Sequence, residues 1–183
     1  MSRPWDDAES QVLVETRVFA VRRVRRVSPK DARQHDFFVI EPPDWVNVVA
    51  LTDAGDVVFV EQWRHGTRSV TIEVPGGMVD PDESAEVAAR RELLEETGYE
   101  AATLEAIGCV EPNPAILSNR CTTFLARGVR KVREPSFDTT EDCVLRLVPA
   151  GDVAGMVRDG AIDHAIVVAA LTYAFLRGDL PIG

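Results

Sequence analysis

Three glutamates lie close together on one predicted helix. Residues 84–97 are rich in Ala, Glu, Leu and Arg and are followed by Gly98, a composition that favours a helix with a glycine at its C-terminal end. At about 100° per residue, Glu92, Glu95 and Glu96 share one helix face within an arc of roughly 100°. Like charges on adjacent turns repel, so this face requires a counter-ion. Hard carboxylate oxygens suit Mg²⁺ or Mn²⁺, and the pattern predicts a divalent-metal site, with a solvated helix surface as the alternative.

The side chains around these glutamates indicate how their roles divide. Arg91 precedes Glu95 by four residues and is expected to pair with it, which leaves Glu92 and Glu96 for the metal. The helix face that lies roughly opposite the carboxylates is expected to face the protein interior. Two apolar side chains are predicted to pack there, Val87 and Leu94.

Length and charge bound the classes of protein to which the chain can belong. It has 183 residues, 45% of them hydrophobic, and a formal net charge of −10. These values fit one compact domain, or one domain with a small appendage. A strongly acidic chain is not a general nucleic-acid binder, because phosphate neutralisation requires an excess of Lys and Arg. Residues 73–100 hold nine acids and two arginines, so much of the acidity is concentrated around the predicted metal site.

The distribution of apolar residues and cysteines favours a cytoplasmic protein without a membrane partner. The longest apolar stretch, residues 165–176, is too short to span a bilayer, and the first ten residues lack the apolar core of a secretory signal. Cys109, Cys121 and Cys143 are odd in number and lack the spacing of a zinc site or a disulfide framework.

The remaining elements predict an α+β or α/β chain with a mixed sheet. Residues 53–56 form a clear hairpin turn between two apolar strands. Asp163 is expected to cap the last helix at its N-terminus. Extended segments are predicted at residues 12–21, 37–40, 46–51, 57–62, 70–74, 104–110, 121–127 and 143–148, and helices at 84–97, 150–158 and 164–177.

A basic cluster follows the first predicted strand. Residues 17–33 contain seven basic side chains and one acidic side chain. We interpret the cluster as a solvated strand edge protected by charge. A subunit contact and attraction of an anionic ligand are the alternatives.

The segment 77–99, GMVDPDESAEVAARRELLEETGY, resembles the defining motif of the Nudix hydrolase family. That motif, GX₅EX₇REUXEEXGU with U a bulky apolar residue, is matched at Gly77, Glu83, Arg91, Glu92, Leu93, Glu95, Glu96, Gly98 and Tyr99. At about 7% per fixed position, a chance match would arise in roughly one chain per million. The flanking segments 60–64, 73–77 and 159–163 and Pro114 are similar to the ADP-ribose pyrophosphatase branch, whereas the loop EPNPAILSNRCTTF resembles nucleoside-diphosphate-sugar hydrolases of broader scope.

The resemblance implies a fold, a domain organisation and an activity. The fold is an α/β/α sandwich in which a mixed sheet is flanked by helices, with an N-terminal β-arm. Residues 1–42 are expected to form that arm and to join two copies of the chain into a homodimer, and residues 43–183 the Nudix domain. The activity is hydrolysis, with Mg²⁺ or Mn²⁺, of a nucleoside diphosphate linked to a sugar or another small molecule.

The resemblance also implies which residues bind metal and perform catalysis. Glu92, Glu96 and the backbone carbonyl of Gly76 are expected to bind the metal, and Glu95 is a further ligand or a nearby base. Arg91 is expected to orient Glu95, and Glu83 to orient the motif itself. The catalytic base is expected in the acidic loop 137–142, with Glu141 as the first candidate and Asp138 as the second.

Substrate contacts are expected from residues outside the motif. Arg64 and Arg68 are candidates for binding phosphate or ribose oxygens, and Trp45 and Trp63 for stacking on a base or for packing in the core. The loop around Pro114 offers further candidates for the sugar or distal phosphate, Asn113, Asn119 and Arg120. Two alternatives stay open: a Nudix hydrolase of dinucleoside polyphosphates or nucleoside triphosphates, and a non-catalytic nucleotide-sugar sensor.

Overall fold

The computed structural model describes residues 3–136 and 143–182 and divides the chain into two units. The N-terminal unit comprises Met1–Pro43 and Glu111–Arg120, and the main unit comprises Asp44–Val110 and Cys121–Gly183. The strands are β1 (Asp6–Glu15), β2 (Ala20–Val27), β3 (Gln34–Glu41), β4 (Trp45–Thr52), β5 (Asp56–Arg64), β6 (Ser69–Glu73), β7 (Gly76–Met78), β8 (Tyr99–Val110), β9 (Cys121–Lys131) and β10 (Cys143–Pro149). The helices are α1 (Ala85–Thr97), α2 (Ala150–Arg158) and α3 (Ala165–Arg177).

The N-terminal unit contains an antiparallel sheet with the order β1-β2-β3. The prediction of one strand over residues 12–21 is wrong, because a turn separates β1 from β2. Thr16 makes this turn, since its hydroxyl and its backbone N–H both donate to the carbonyl of Phe19, at 2.7 and 3.0 Å. A threonine that bonds its own local backbone competes with a continuing strand.

The basic cluster lies mainly on β2, the middle strand of this sheet, and not on an edge as predicted. Its arginines pair with acids on both neighbouring strands. Arg25 contacts Glu9 at 2.9 Å and Asp36 at 2.8 Å, and Arg26 contacts Asp7 at 2.8 Å. The acids lie on β1 and β3, outside the basic cluster itself. The charge of the cluster alone therefore predicted arginines that face solvent, whereas the structure holds them in ion pairs.

The main unit is built on a seven-stranded mixed sheet that is covered on both faces. Its path is β10-β5-β4-β9-β8, with β6 paired to β5 and β7 paired to β4. The β4–β9 pair is parallel, and the β4–β5 and β8–β9 pairs are antiparallel. Alternation along β4 supplies both cores, because Val48 packs with α1 and Val49 with α3. This arrangement confirms the predicted sandwich of a mixed sheet between helices.

Helix α1 begins and ends at the expected residues. Ser84 caps its N-terminus by accepting the N–H of Val87 at 3.3 Å. Gly98 ends it in the left-handed conformation, with φ at 74°, and donates its N–H to Leu94 at 2.9 Å. A Cβ at this position would lie 2.0 Å from the carbonyl oxygen of Arg133, so glycine is required here for space as well as for conformation.

The buried face of α1 differs from the predicted one. Ala88, Ala89 and Leu93 are buried against the sheet, whereas Val87 is 54% exposed and Leu94 is only partly buried. The two alanines allow the helix backbone to approach the strands closely, so the small residues beside the carboxylates form the core contact. The helix is therefore turned with its carboxylate-bearing side toward the sheet.

The two C-terminal helices pack on the opposite face of the main sheet. Val167, Ala170 and Leu171 of α3 join the core beneath that face, as does Val153 of α2. His164, and not Asp163, occupies the N-cap of α3, and its side chain makes no capping hydrogen bond. Within residues 3–136 and 143–182, no helix combines the length and the hydropathy that crossing a membrane requires.

Candidate active site

Arg91 connects three of the motif glutamates. Its Nε and Nη2 donate to the two carboxylate oxygens of Glu83 at 3.0 and 2.8 Å, and its Nη1 donates to Glu92 at 2.8 Å and to Glu95 at 3.4 Å. Nη2 also reaches the carbonyl of Met78 at 3.0 Å. The hydrogen bond with Glu83 raises the pKa of Arg91 and lowers the pKa of Glu83. The expected pairing with Glu95 is present, but Glu83 is the bidentate partner.

Two glycines of β7 bring backbone and carboxylates into direct contact. A Cβ at Gly77 would lie 2.3 Å from Oε1 of Glu92, so a larger residue there would have to displace that carboxylate. The backbone N–H of Gly76 donates to Oε2 of Glu96 at 2.9 Å, and Glu96 is 4% exposed. Pairing of Gly76 with Asn47 holds this backbone in register with β4. Strand β7 and helix α1 therefore pack together around Glu92 and Glu96.

Arg64, at the end of β5, is held by the buried carboxylate of Glu73 on the neighbouring strand β6. Nε and Nη2 of Arg64 donate to the two oxygens of Glu73 at 2.6 and 2.7 Å, and the hydroxyl of Thr71 donates to Glu73 at 2.5 Å. Burial acts to raise the pKa of Glu73, but the hydrogen bonds and the charge of Arg64 outweigh it, so the net pKa is lowered. The hydrogen bond with Glu73 raises the pKa of Arg64.

Arg64 also lines a cavity of about 480 Å³ between the β5–β6 turn and the start of α3, here called the β6–α3 cavity. Nδ1 of His164 is a buried ring nitrogen that has no hydrogen-bond partner among the described residues. The residues that line the cavity are Arg64, His65, Gly66, Thr67, Ser69, Thr71, Asp163, His164 and Ala165.

Comparison with protein-family models decides the family. The model described as the NUDIX domain matches residues 42–171, which is more than half of the chain. The chain belongs to the Nudix family. The match includes both the carboxylate-bearing helix and the strands that hold Arg64 and Glu73.

Three proteins of named activity resemble the chain over most of its length. It is 29% identical to an ADP-ribose pyrophosphatase of Bacillus subtilis over 140 residues, 76% of each chain. It is 29% identical to an ADP-ribose pyrophosphatase of Mycobacterium tuberculosis over 170 residues, 90% of this chain and 80% of the relative. A GDP-mannose pyrophosphatase of Pectobacterium atrosepticum is 26% identical over 97% of both chains.

A solved structure confirms the Nudix fold. The crystal structure of an ADP compounds hydrolase superposes with a TM-score of 0.84 and covers 97% of this chain and 96% of that chain. The two sequences are 21% identical, so this likeness concerns the arrangement of helices and strands.

The oxygen donors around the Nudix motif fit a hard divalent cation by their chemistry. Carboxylates and a backbone carbonyl suit Mg²⁺, which usually keeps several waters and takes one or two protein carboxylates. Among residues 3–136 and 143–182, no three His, Cys, Asp or Glu side chains already stand in a metal-binding group. Glu92 accepts a hydrogen bond from Arg91, and Glu96 accepts one from the N–H of Gly76.

The other predicted substrate contacts of the main unit lie near the start of β4 and in the β5–β6 turn. Trp45 is half-buried and pairs with Met78 and Cys121 on the two neighbouring strands. Trp63 is exposed on β5. Arg68 is exposed in the turn with φ at 57°, and its N–H donates to the carbonyl of Arg64 at 2.8 Å.

The predicted loop residues belong to the N-terminal unit. Asn113 is exposed and begins a turn, because its carbonyl accepts the N–H groups of Ile116 and Leu117 at 3.1 and 2.8 Å. Arg120 is exposed, whereas Asn119 is buried and donates its Nδ2 to the carbonyl of Pro43 at 3.0 Å. Asn119 thus ties the loop to the segment that follows β3.

Both candidates for the catalytic base, Glu141 and Asp138, lie outside the described residues. The residues on either side of their segment are placed in the main unit. The N–H of Ser136 donates to the carbonyl of Glu95 at 2.8 Å, and Cys143 begins β10 opposite Gln62. The choice between these two residues stays a prediction.

Sequence reasoning missed two polar residues that organise this region. Glu73 is the partner of Arg64, and Asn47 donates its Nδ2 to the carbonyl of Ile166 at 3.0 Å, which connects β4 to the first turn of α3. Both are buried polar residues, Asn47 in the largely apolar strand β4 and Glu73 at the end of β6. An isolated polar residue within an apolar strand is a signal that could have identified Asn47.

Proposed function

We propose that the chain is a divalent-metal-dependent pyrophosphohydrolase. Its substrate is ADP-ribose or a related nucleoside diphosphate sugar, and its products are a nucleoside monophosphate and a sugar phosphate. The observation that carries this proposal is the complete Nudix motif. Arg91 donates hydrogen bonds to Glu92 and Glu95, and the backbone N–H of Gly76 donates one to Glu96. The named activities of the relatives support nucleotide sugars as the substrate class.

The charge of the motif explains why this chemistry requires a metal. A diphosphate is multiply anionic, and a bound divalent metal neutralises it and lowers the pKa of a bound water. We assign Mg²⁺ to this role, with Mn²⁺ as a substitute, and Glu92, Glu96 and the carbonyl of Gly76 as its ligands. Glu95 is a further ligand or a nearby base, and Arg91 orients it. The bound cation reverses the sign of an acidic surface toward an anionic substrate.

Substrate binding is assigned to residues on both sides of the motif. Arg64 and Arg68 bind phosphate or ribose oxygens through charge-assisted hydrogen bonds, and Trp45 stacks on the base. Asn113 and Arg120 contact the sugar or the distal phosphate. The catalytic base is Glu141, and Asp138 is the second candidate.

The N-terminal sheet supports a homodimer. Every residue of β1 is exposed, and Val14 and Phe38 are 51% and 55% exposed. β1 and β3 are the two outer strands of this sheet, and an edge strand with exposed apolar side chains is a surface for association. We propose that this sheet joins two copies of the chain, and a cytoplasmic location stays a prediction from composition.

A nucleotide panel tests the activity. The protein is incubated with Mg²⁺ and ADP-ribose, GDP-mannose, UDP-glucose, a dinucleoside polyphosphate or a nucleoside triphosphate, and products are separated by anion exchange. Hydrolysis of a nucleotide sugar that EDTA abolishes is the expected result. Preferential hydrolysis of one of the other two classes selects that alternative, and binding of a nucleotide sugar without hydrolysis selects the sensor.

Glu96→Gln is the decisive variant for the metal assignment. Removal of this charge is expected to lower kcat by about a hundredfold or more, because it removes an anionic metal ligand. Glu86→Gln is the matched control, since Glu86 lies on the same helix but pairs with Arg90 at 3.0 Å on an exposed surface. Wild-type rates in both Glu92→Gln and Glu96→Gln would show that the metal ligands are misassigned.

A further inference from the structure

Glu73 is a carboxylate buried in strand β6 of the main unit. It is 4% exposed and accepts three hydrogen bonds, two from Arg64 and one from Thr71. Placing a carboxylate in such a position costs desolvation free energy, and buried ion pairs contribute little net stability compared with apolar residues of similar size. The stability of the fold therefore does not account for a charged residue at this position.

The geometry of the ion pair fixes the orientation of Arg64. An arginine side chain at a surface adopts many rotamers, and binding a ligand would have to select one of them. Glu73 accepts from Nε and Nη2, so it holds one edge of the planar guanidinium in a bidentate contact. The N–H groups of Nη1 lie outside this contact, and the Arg64 side chain is still 40% exposed.

The exposed part of Arg64 borders the β6–α3 cavity. Thr71, which donates to Glu73, and His164, whose Nδ1 has no partner among the described residues, line the same cavity. Arg64 is also close enough to Glu96 for the charge of that carboxylate to favour its protonated form. Arg64 therefore presents its exposed side to a cavity that Thr71 and His164 also line.

We propose that Glu73 is a positioning residue, which holds the Arg64 guanidinium so that its remaining N–H groups bind a phosphate oxygen of the nucleotide sugar. The proposal rests on the proposed function for the identity of the ligand. Glu73 itself does not touch the substrate. It acts by presenting Arg64 in one orientation before the substrate arrives, which removes the entropy of ordering that side chain on binding.

The test is a double-mutant cycle on Glu73 and Arg64. ADP-ribose binding is measured by calorimetry in EDTA, which prevents turnover, and KM and kcat are measured separately with Mg²⁺. Glu73→Gln is expected to weaken ADP-ribose binding and raise KM by about tenfold with kcat changed by less than about twofold, because it removes orientation and not chemistry. Arg64→Ala is expected to weaken binding at least as much, and the double variant no further than Arg64→Ala.

Two further variants separate positioning from folding. Thr71→Val removes the third hydrogen bond to Glu73 with little change of shape, and is expected to weaken ADP-ribose binding by about threefold. Glu61→Gln is the matched control, since Glu61 lies on β5 and pairs with Arg146 at 2.7 Å. It is expected to leave binding and KM unchanged, and urea denaturation establishes that each variant is folded.

Three results would overturn the positioning role. The first is wild-type or tighter ADP-ribose binding by folded Glu73→Gln, which would mean that Glu73 only neutralises Arg64. The second is additive loss in the double variant, and the third is failure of wild-type protein to bind any nucleotide sugar of the panel. Binding that responds to Glu73→Gln without hydrolysis by wild type would instead overturn the proposed activity and leave the positioning role intact.

Discussion

At the scale of single residues, close contacts and not charges alone organise the site. Gly77 leaves room for Glu92, Gly76 donates its N–H to Glu96, and Arg91 connects Glu83 to the other motif carboxylates. Each of these contacts joins residues that are apart in sequence. The spacing of the motif is therefore the spacing that allows a strand backbone and a helix face to meet.

Gly77→Ala is expected to abolish most activity while leaving the protein folded. The added methyl group would lie 2.3 Å from Oε1 of Glu92 and must displace that carboxylate. We expect kcat to fall by about a hundredfold in the nucleotide assay, since small misplacements of catalytic groups have effects of this size.

Gly155→Ala is the control for this substitution. Gly155 lies within α2 and has no atom within 4 Å of the position of an added Cβ. We expect unchanged kcat and a gain in unfolding free energy of about 0.5–1 kcal/mol, because alanine loses less backbone entropy in a helix. Wild-type kcat in Gly77→Ala would mean that Gly77 is not needed to make room for Glu92.

Glu73 should make the stability of the protein depend on pH. Its pKa is lowered in the folded state, because hydrogen bonds from Arg64 and Thr71 outweigh the effect of burial. It therefore contributes stability above the unfolded-state pKa, about 4.3 for glutamate, and that contribution is lost as the pH falls toward the folded-state value. We expect the difference in unfolding free energy between wild type and Glu73→Gln to be largest near pH 7 and to narrow below about pH 4.5. Urea denaturation across this pH range measures it, and a difference independent of pH would contradict it.

At the scale of elements, caps define the ends of α1, and alanines define its buried face. Ser84 and Gly98 end the helix through local hydrogen bonds, whereas Ala88 and Ala89 place it against the sheet. The helix thereby carries Glu92 and Glu96 at its border with β7. Its ends are local properties, but its rotation depends on the strands beneath it.

Ser84→Ala is expected to lower the unfolding free energy by about 1 kcal/mol, because it removes the side-chain cap from the N-terminus of α1. Ser84→Asp keeps an acceptor at the cap and should retain wild-type stability. Chemical denaturation of the three proteins measures the difference. Equal stability of wild type and Ser84→Ala would show that this cap does not contribute to the free energy of unfolding.

At the scale of the whole molecule, charge and apolar surface are segregated along the chain. Residues 73–100 carry nine acids and two arginines, whereas the N-terminal unit has arginines on its middle strand and exposed apolar side chains on its outer strands. An acidic segment is suited to binding a cation, and exposed apolar side chains on outer strands are suited to contact with another protein chain.

The double variant Val14→Lys/Phe38→Lys is expected to be monomeric. Both side chains are exposed on outer strands of the N-terminal sheet, so lysine should not disturb the fold of one chain but should oppose burial against a second. Sedimentation velocity at micromolar concentration compares it with wild type, which we expect to be a dimer. Val87→Lys, on the exposed side of α1, is the control and should stay dimeric. A monomeric wild-type protein would remove the basis of the dimer proposal.

The sequence by itself determined the features that depend on local chemistry. The motif identified the family, the composition of residues 84–97 gave α1 within one residue at its start, and Gly98 was recognisable as a helix end. The strands of the main unit other than β7 were recognised, with their ends shifted by up to five residues. Caps, turns and alternation act between neighbours in sequence, so most of them can be read without the fold, whereas the N-cap of α3 and the turn at Thr16 were not.

Only the tertiary structure decided which distant residues meet. It showed that Glu83 is the bidentate partner of Arg91, that Arg64 is held by Glu73, and that Val87 faces outward. It also placed the arginines of β2 between acids of β1 and β3. These outcomes depend on packing and on ion pairs across strands, whose partners lie far apart in sequence, and no local pattern contains that information.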